Sequence, residues 1–479
     1  MSPKTLALNA INPAPRKTKI ICTIGPVTDS FDMLKKLAEA GMDIVRMNMS
    51  HGDHASHAKV VKAIKTLNQQ GFAIPLMLDT QGPEIRTGNL QSDLELKQGD
   101  IISVCVRGEA VEESSFQINY QDLMNTVNVG DKITVDNGLI NLEVLAKEAR
   151  AMKCRVLDGG RLGSKRHVNL PGIRVNLPSV TAKDKEDILF GIKQGVDFIA
   201  LSFVREAKDI IELRAFMEKH DGDKIKIIAK IEDQEGVRNL EEIIAVADGI
   251  MVARGDLGVE INIEDLPNVQ RRIVRLCHER GRRVIVATHL LESMITNPIP
   301  TRAEVTDVAN AIYEEVDAIM LSGETTVGKY PIKCVEYMNK IALTSERMVG
   351  LQYSQYLKMR DNRQFLASAA VEMAEAMGAR AIVVITRRGV MASCVTNCRP
   401  FKSTIYAFTN DGRTCRQLSI NRGMVAHKIA FSKDPEKTIA NSFAVMKRDD
   451  GFQSGDKVVL ISNVIAGAGA DTIQIREIP

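Results

Sequence analysis

The chain runs to 479 residues, enough for about three domains. Its 63 Lys and Arg against 60 Asp and Glu leave a formal charge of +3, which excludes nucleic acid or an anionic membrane as the main partner. Aromatic residues make up 4% with no Trp, too few for a base-stacking platform.

Met1 to Lys17 carries three prolines and no apolar h-region, so residues 1–17 read as a loose tail rather than a signal peptide. From Lys19 onward, β-rich runs at 19–24, 44–47 and 74–79 alternate with amphipathic helical stretches. Between about Gly88 and Asn176 the alternation gives way to short strands broken by Gly and Asp-Gly turns, the pattern of a separate all-β unit. It resumes with strands at 197–201, 225–231, 249–253, 284–287 and 317–321. Three strands before the insert and five after make eight βα units, the number that closes a parallel (β/α)8 barrel. A low-apolar stretch, Ser354 to Gln364, leads to a second series: helix 366–377, strands 381–385 and 404–408, helix 412–420, strands 425–431 and 457–461. The expected domains are a barrel over 18–87 and 173–345, a β-barrel lid over 88–172 and an open α/β unit over 346–479.

No apolar run reaches the length of a membrane span. The eight cysteines form no CxxC pair, and Cys394 and Cys398, four apart, lack a His or acidic partner. They read as reduced thiols, and the cytoplasm is the expected compartment.

Active sites of such barrels lie at the C-terminal mouth, so polar residues that end strands are the informative ones. They are Thr23, Arg46 to Asn48, Asp79-Thr80, Ser202, Lys230 with Glu232, Arg254 to Asp256, Thr288-His289, and Ser322 to Glu324. N-capping accounts for a Ser, Thr or Asp at such a place, but not for Arg46, Lys230, Glu232 and Arg254 together. Glu232 and Asp256 end neighbouring strands and can converge on one hard cation such as Mg²⁺. They can equally pair with Lys230 or Arg254, and the two readings are compatible. Lys230 and Arg46 at the same mouth complete a phosphoryl clamp, while Gly255 lets bare backbone approach an anion. No G-x-x-x-x-G-K-[ST] loop, dinucleotide fingerprint or G-x-S-x-G elbow is present. His51, His54 and His57 share a helical period but lack a fourth zinc ligand.

The segments CTIGPVT (22–28), VRMNMSHGD (45–53), LDTQGPEIRTG (78–88), VDNGLI (135–140), VNLPG (168–172), IIAKIEDQEGV (227–237), GIMVARGDLGVEI (249–261), ESMITNPIPTRAEVTDVANAI (292–312) and LSGETTVGKYP (321–331) resemble the pyruvate kinase family. The resemblance runs in order from about Lys17 to Met348. It implies that Arg46, Lys230, Gly255, Asp256 and Thr288 bind phosphoenolpyruvate, and that Lys230 stabilises the phosphoryl group in flight. It implies Mg²⁺ or Mn²⁺ on Glu232 and Asp256, and K⁺ on Asn48, Ser50, Asp79 and Thr80. Asn48, His51 and Arg86 would contact the phosphates of ADP or ATP. The β insert would close over the nucleotide, with Asp136 as its contact with the site. Thr288, or Ser322 and Glu324 behind it, would relay a proton to the enolate that becomes pyruvate. The position of Glu84 is Glu or Lys in this family, and Glu leaves a charge deficit that K⁺ can fill, so K⁺ dependence is expected. The family also implies a homotetramer.

Three positions depart from the pattern. His289 stands where Gln is usual, and it can hydrogen-bond as Gln does. Arg166 replaces the nucleotide-facing Lys of the lid, keeping charge but not geometry. Thr386 to Ala392 lacks the hydroxyls of the sugar-bisphosphate loop of regulated members, although Arg387 and Arg388 can still take an anionic effector. Two other readings compete: enzymes that stabilise a pyruvate enolate on Mg²⁺, which lack the insert and the K⁺ residues, and a non-catalytic sensor. A sensor would have no need to keep Arg46, Lys230, Glu232, Asp256 and Thr288 all intact.

Overall fold

A computed structural model describes residues 15–106, 115–148, 151–462 and 472–479, so most of the 1–17 tail lies outside the described residues. Eight parallel strands close a barrel: β1 Lys19–Thr23, β2 Ile44–Asn48, β3 Leu76–Asp79, β4 Phe198–Leu201, β5 Lys226–Ile231, β6 Gly249–Ala253, β7 Arg283–Ala287 and β8 Ala318–Leu321. Pairing of β1 with β8, Lys19 against Ala318, shuts the ring. The strands are apolar almost throughout because both faces are covered. One face looks into the barrel, where Ile21, Ile44, Met77, Phe198, Met251 and Ile285 pack together. The other packs on the surrounding helices through Ile20, Val45, Leu78, Ile199 and Val252. Local sequence sets the helix ends: Thr181 and Thr301 form capping boxes with Asp184 and Glu304, and Gly195 and Gly281 close helices at φ 70° and 65°.

The insert leaves after β3 and returns before β4. Among the described residues its strands form a six-stranded sheet and a separate two-stranded ribbon rather than one hydrogen-bonded ring. Register shifts between Asn141 and Leu142, and between Val144 and Ala146, bend the sheet around its own core of Phe116, Ile133, Val135, Leu142 and Val156. Asp136 and Asn137, both at φ 55°, make the tight turn of VDNGLI.

The described residues of the C-terminal unit form a five-stranded sheet in the order Met424–Lys428, Thr404–Thr409, Ala381–Ile385, Lys457–Ser462, Thr472–Glu477, with the last strand antiparallel. The helix expected at 366–377 begins earlier, at Asn362, because Asp361 caps it through Gln364 N–H. Helices Val390–Asn397 and Pro435–Asp449 and the strand Thr472–Glu477 extend the sequence reading. This unit docks beneath the barrel. Ile420 is fully buried among the inward-facing strand residues, and Arg399 and Arg416 reach Asp317 and Asp197.

Candidate active site

The polar strand ends meet where the pattern places them. Asp79, at the end of β3, is fully buried and shared: Oδ2 accepts Arg46 Nε at 2.6 Å and Oδ1 accepts Lys230 Nζ at 3.1 Å. Lys230 also donates to Ser202 Oγ at 2.7 Å and lies 2.9 Å from Glu232 Oε1. Burial opposes its charge, but the Asp79 and Glu232 carboxylates win and hold the ammonium well above the usual lysine range.

Glu232 and Asp256 follow the neighbouring strands β5 and β6, and burial, reinforced at Glu232 by the Asp256 charge, pushes both carboxyls up. Two acids in this arrangement, Glu232 fully buried and the Asp256 side chain 34% exposed, are eased by a proton or a cation between them, which fits a hard divalent ion completed by substrate oxygens. Among the described residues no three His, Cys, Asp or Glu side chains are grouped to hold a metal alone. Glu232 is aimed by the backbone N–H of Phe203, which donates to Oε2 at 2.6 Å.

Immediately after β7, Thr288 and His289 both adopt positive φ, 69° and 55°. A β-branched residue there is strained, and such strain collects at functional sites. The strain is offset by bonds: Gly255 N–H donates to Thr288 Oγ1 at 2.7 Å, and Arg254 Nη2 donates to the Thr288 carbonyl at 2.7 Å while Nη1 holds Asp307. Ser322 Oγ is buried with no hydrogen-bond partner among the described residues, beside Glu324, whose carboxylate accepts Ser322 N–H and Leu291 N–H at 2.7 and 3.0 Å. Burial pushes the Glu324 carboxyl up.

Asn48 and Asp79 are register partners on β2 and β3, and Asn48 Oδ1 accepts Ser50 N–H at 3.1 Å. Thr80 Oγ1 accepts Ser202 N–H at 3.0 Å. Glu84 is bound by Arg86 Nε at 2.7 Å and Gln81 at 3.0 Å. His51 is exposed, and its carbonyl meets His57 Nε2 at 2.9 Å. In the insert Arg166 lies 3.5 Å from Asp136, and the insert residue lining the cavity beside Gly255 and His289 is the next one, Asn137.

With that geometry, the comparisons decide the family. The sequence profile of the pyruvate kinase barrel domain matches residues 15–335, and that of the pyruvate kinase alpha/beta domain matches 364–476. The chain belongs to the pyruvate kinase family. It is 41% identical to plastidial pyruvate kinase 2 of Arabidopsis thaliana over 97% of its own length and 81% of that protein's. Against the pyruvate kinase of Geobacillus stearothermophilus the identity is 42% over 95% and 79%. The crystal structure of a pyruvate kinase from Cryptosporidium parvum superimposes with a TM-score of 0.91 at 35% identity, covering 97% and 96% of the two chains. This chain is therefore a transferase.

Several residues around this mouth are not marked by the sequence. Ser202 was read only as a strand end, yet it ties Lys230 to Thr80. Phe203 aims Glu232. Two insert residues, His167 and Asn169, touch the barrel: His167 Nδ1 is 3.8 Å from Asp256 Oδ1, and Asn169 Nδ2 donates to Glu260 Oε1 at 2.8 Å. The only sequence signal for Asn169 was its place in VNLPG; nothing local marked His167.

Proposed function

We propose that this chain transfers the phosphoryl group of phosphoenolpyruvate to ADP, giving pyruvate and ATP, with Mg²⁺ or Mn²⁺ on Glu232 and Asp256 and K⁺ on Asn48, Ser50, Asp79 and Thr80. The observation that carries this reading is the shared Asp79 carboxylate, which fixes Arg46 and Lys230 as neighbouring cations within reach of the two acids. Bound there, the divalent ion would neutralise charge on the phosphoryl oxygens. Lys230 and Arg46 bind the same group from the protein side, and Lys230 follows it during transfer, when its equatorial oxygens carry most charge. The first amides of a helix have no acceptor within it, so those opening Arg254–Glu260 suit the substrate carboxylate, with Gly255 itself placed by Thr288. Thr288, and behind it Ser322 and Glu324, would carry the proton that the enolate carbon takes up.

The nucleotide phosphates would meet Asn48, His51, Arg86 and Arg166, under an insert that excludes water. A homotetramer, a cytoplasmic location and an anionic effector at Arg387 and Arg388 complete the reading. Thr386 Oγ1 accepts Gly389 N–H at 3.0 Å in that turn. No helix among the described residues is long and apolar enough to cross a membrane.

A coupled assay for pyruvate tests the proposal. Pyruvate formed from phosphoenolpyruvate only when ADP and a divalent ion are both present is the expected result; formation without ADP, or none at all, overturns it.

A further inference from the structure

We propose that His167, carried by the insert, is a positioning residue that orients Asp256 from outside the divalent-metal site and so sets how tightly that site holds its ion. The inference rests on the metal reading above. His167 is 14% exposed at the side chain, with Nδ1 3.8 Å from Asp256 Oδ1. Its ring also lies 6.3 Å from that of Phe203, at 52°, and the Phe203 amide is the group that grips Glu232. One side chain therefore borders both acids: Asp256 directly, Glu232 through its backbone anchor.

Both neighbours are built to stay in place. Phe203 sits at φ 52°, and its ring packs so closely on Gly82 that a Cβ there would come within 2.7 Å of it. The His167 carbonyl accepts Asp136 N–H at 2.9 Å, and His167 bridges antiparallel to Arg86. The imidazole is thus placed by the segments through which the chain enters and leaves the insert. The charged groups facing it are Asp256, Glu84, Arg86 and Glu232.

A direct metal bond is not what this arrangement offers. A hard ion prefers oxygen ligands, and the three side chains are not grouped to hold an ion by themselves. At 3.8 Å the imidazole is instead a small step from a hydrogen bond to Asp256. Partners of this kind fix the orientation of a ligating carboxylate, and losing one costs about 10- to 100-fold in metal affinity. Because His167 belongs to the insert, the affinity becomes a function of where the insert sits.

The test is a titration of the full chain with Mn²⁺, reading free Mn²⁺ by its paramagnetic resonance signal, on the wild type, Glu232→Gln, His167→Ala and His167→Gln. His167→Ala should raise the Mn²⁺ dissociation constant by about tenfold or more. His167→Gln, which keeps an N–H for the carboxylate, should restore the wild-type value. Unchanged affinity in His167→Ala overturns the proposal, and so does failure of Gln to rescue. If the wild type binds no Mn²⁺, or Glu232→Gln binds it equally well, the metal reading falls first. Loss in Glu232→Gln with an unaltered His167→Ala removes only the role of His167.

Discussion

The Asp317 carboxylate, which precedes the last barrel strand, is clasped by the Arg399 guanidinium of the C-terminal unit through two bonds of 2.7 Å. Arg283 adds a third at 3.3 Å, and all three side chains are buried. Burial alone would raise the Asp317 pKa, but the charges of Arg283 and Arg399 outweigh it and hold the carboxyl well below its usual range. A depressed carboxylate contributes stability that is complete above the unfolded-state value near 4 and fades as pH falls below it. Arg399→Met should therefore cost about 3–5 kcal/mol at neutral pH, as removal of one partner from a buried pair does. Calorimetric melting of both proteins between pH 3 and 7 checks this, and a gap that fails to shrink toward pH 3 counts against it.

Lys230→Met should lower kcat by about 10²–10³, the scale of losing one preorganised group that meets developing charge. It also leaves Asp79 and Glu232 without their shared cation, so melting temperature should fall too. Steady-state kinetics beside circular dichroism separates the two effects.

Replacing K⁺ by tetramethylammonium should reduce turnover by on the order of 10², since Glu84 supplies no positive charge to the Asn48–Asp79 corner. Glu84→Lys should make activity indifferent to the monovalent ion. A wild type equally active in both salts contradicts the assignment.

Glu260, which receives Asn169 from the insert, is pushed up to about 7 by burial, with Asp233 and Asp256 adding to the effect. A raised carboxyl stabilises the docked state fully below its unfolded value of about 4.3, and that contribution is lost as pH climbs through 7. Hydrogen exchange across residues 163–172 should speed up between pH 5 and 8, after correction for the intrinsic rate. Glu260→Gln should abolish the pH dependence while keeping the insert docked.

The eight barrel strands were legible because each is a short apolar run closed by a polar residue, and the mouth assembled from those endings as topology requires. Topology was less informative about sharing: nothing in it marks Asp79, expected as a K⁺ ligand, as the acid between Arg46 and Lys230. Contacts between separate units left no periodic trace. Spacing along the chain says nothing of how far His167 or Asn169 stands from the barrel, nor that Ile420 stoppers its floor. Val390–Asn397 was missed because eight residues containing Val, Ser, Thr, Cys and Asn carry little helical preference.

The pairing of Arg86 with His167, and the bond from Thr87 N–H to the Arg166 carbonyl at 2.8 Å, bring the two crossings of the insert side by side. A module whose entry and exit touch can be cut out without stretching its host. A chain in which a short glycine-containing turn replaces residues 88–165 should still close its eight-stranded ring, so the barrel and its cap are separable parts joined at a two-stranded stalk.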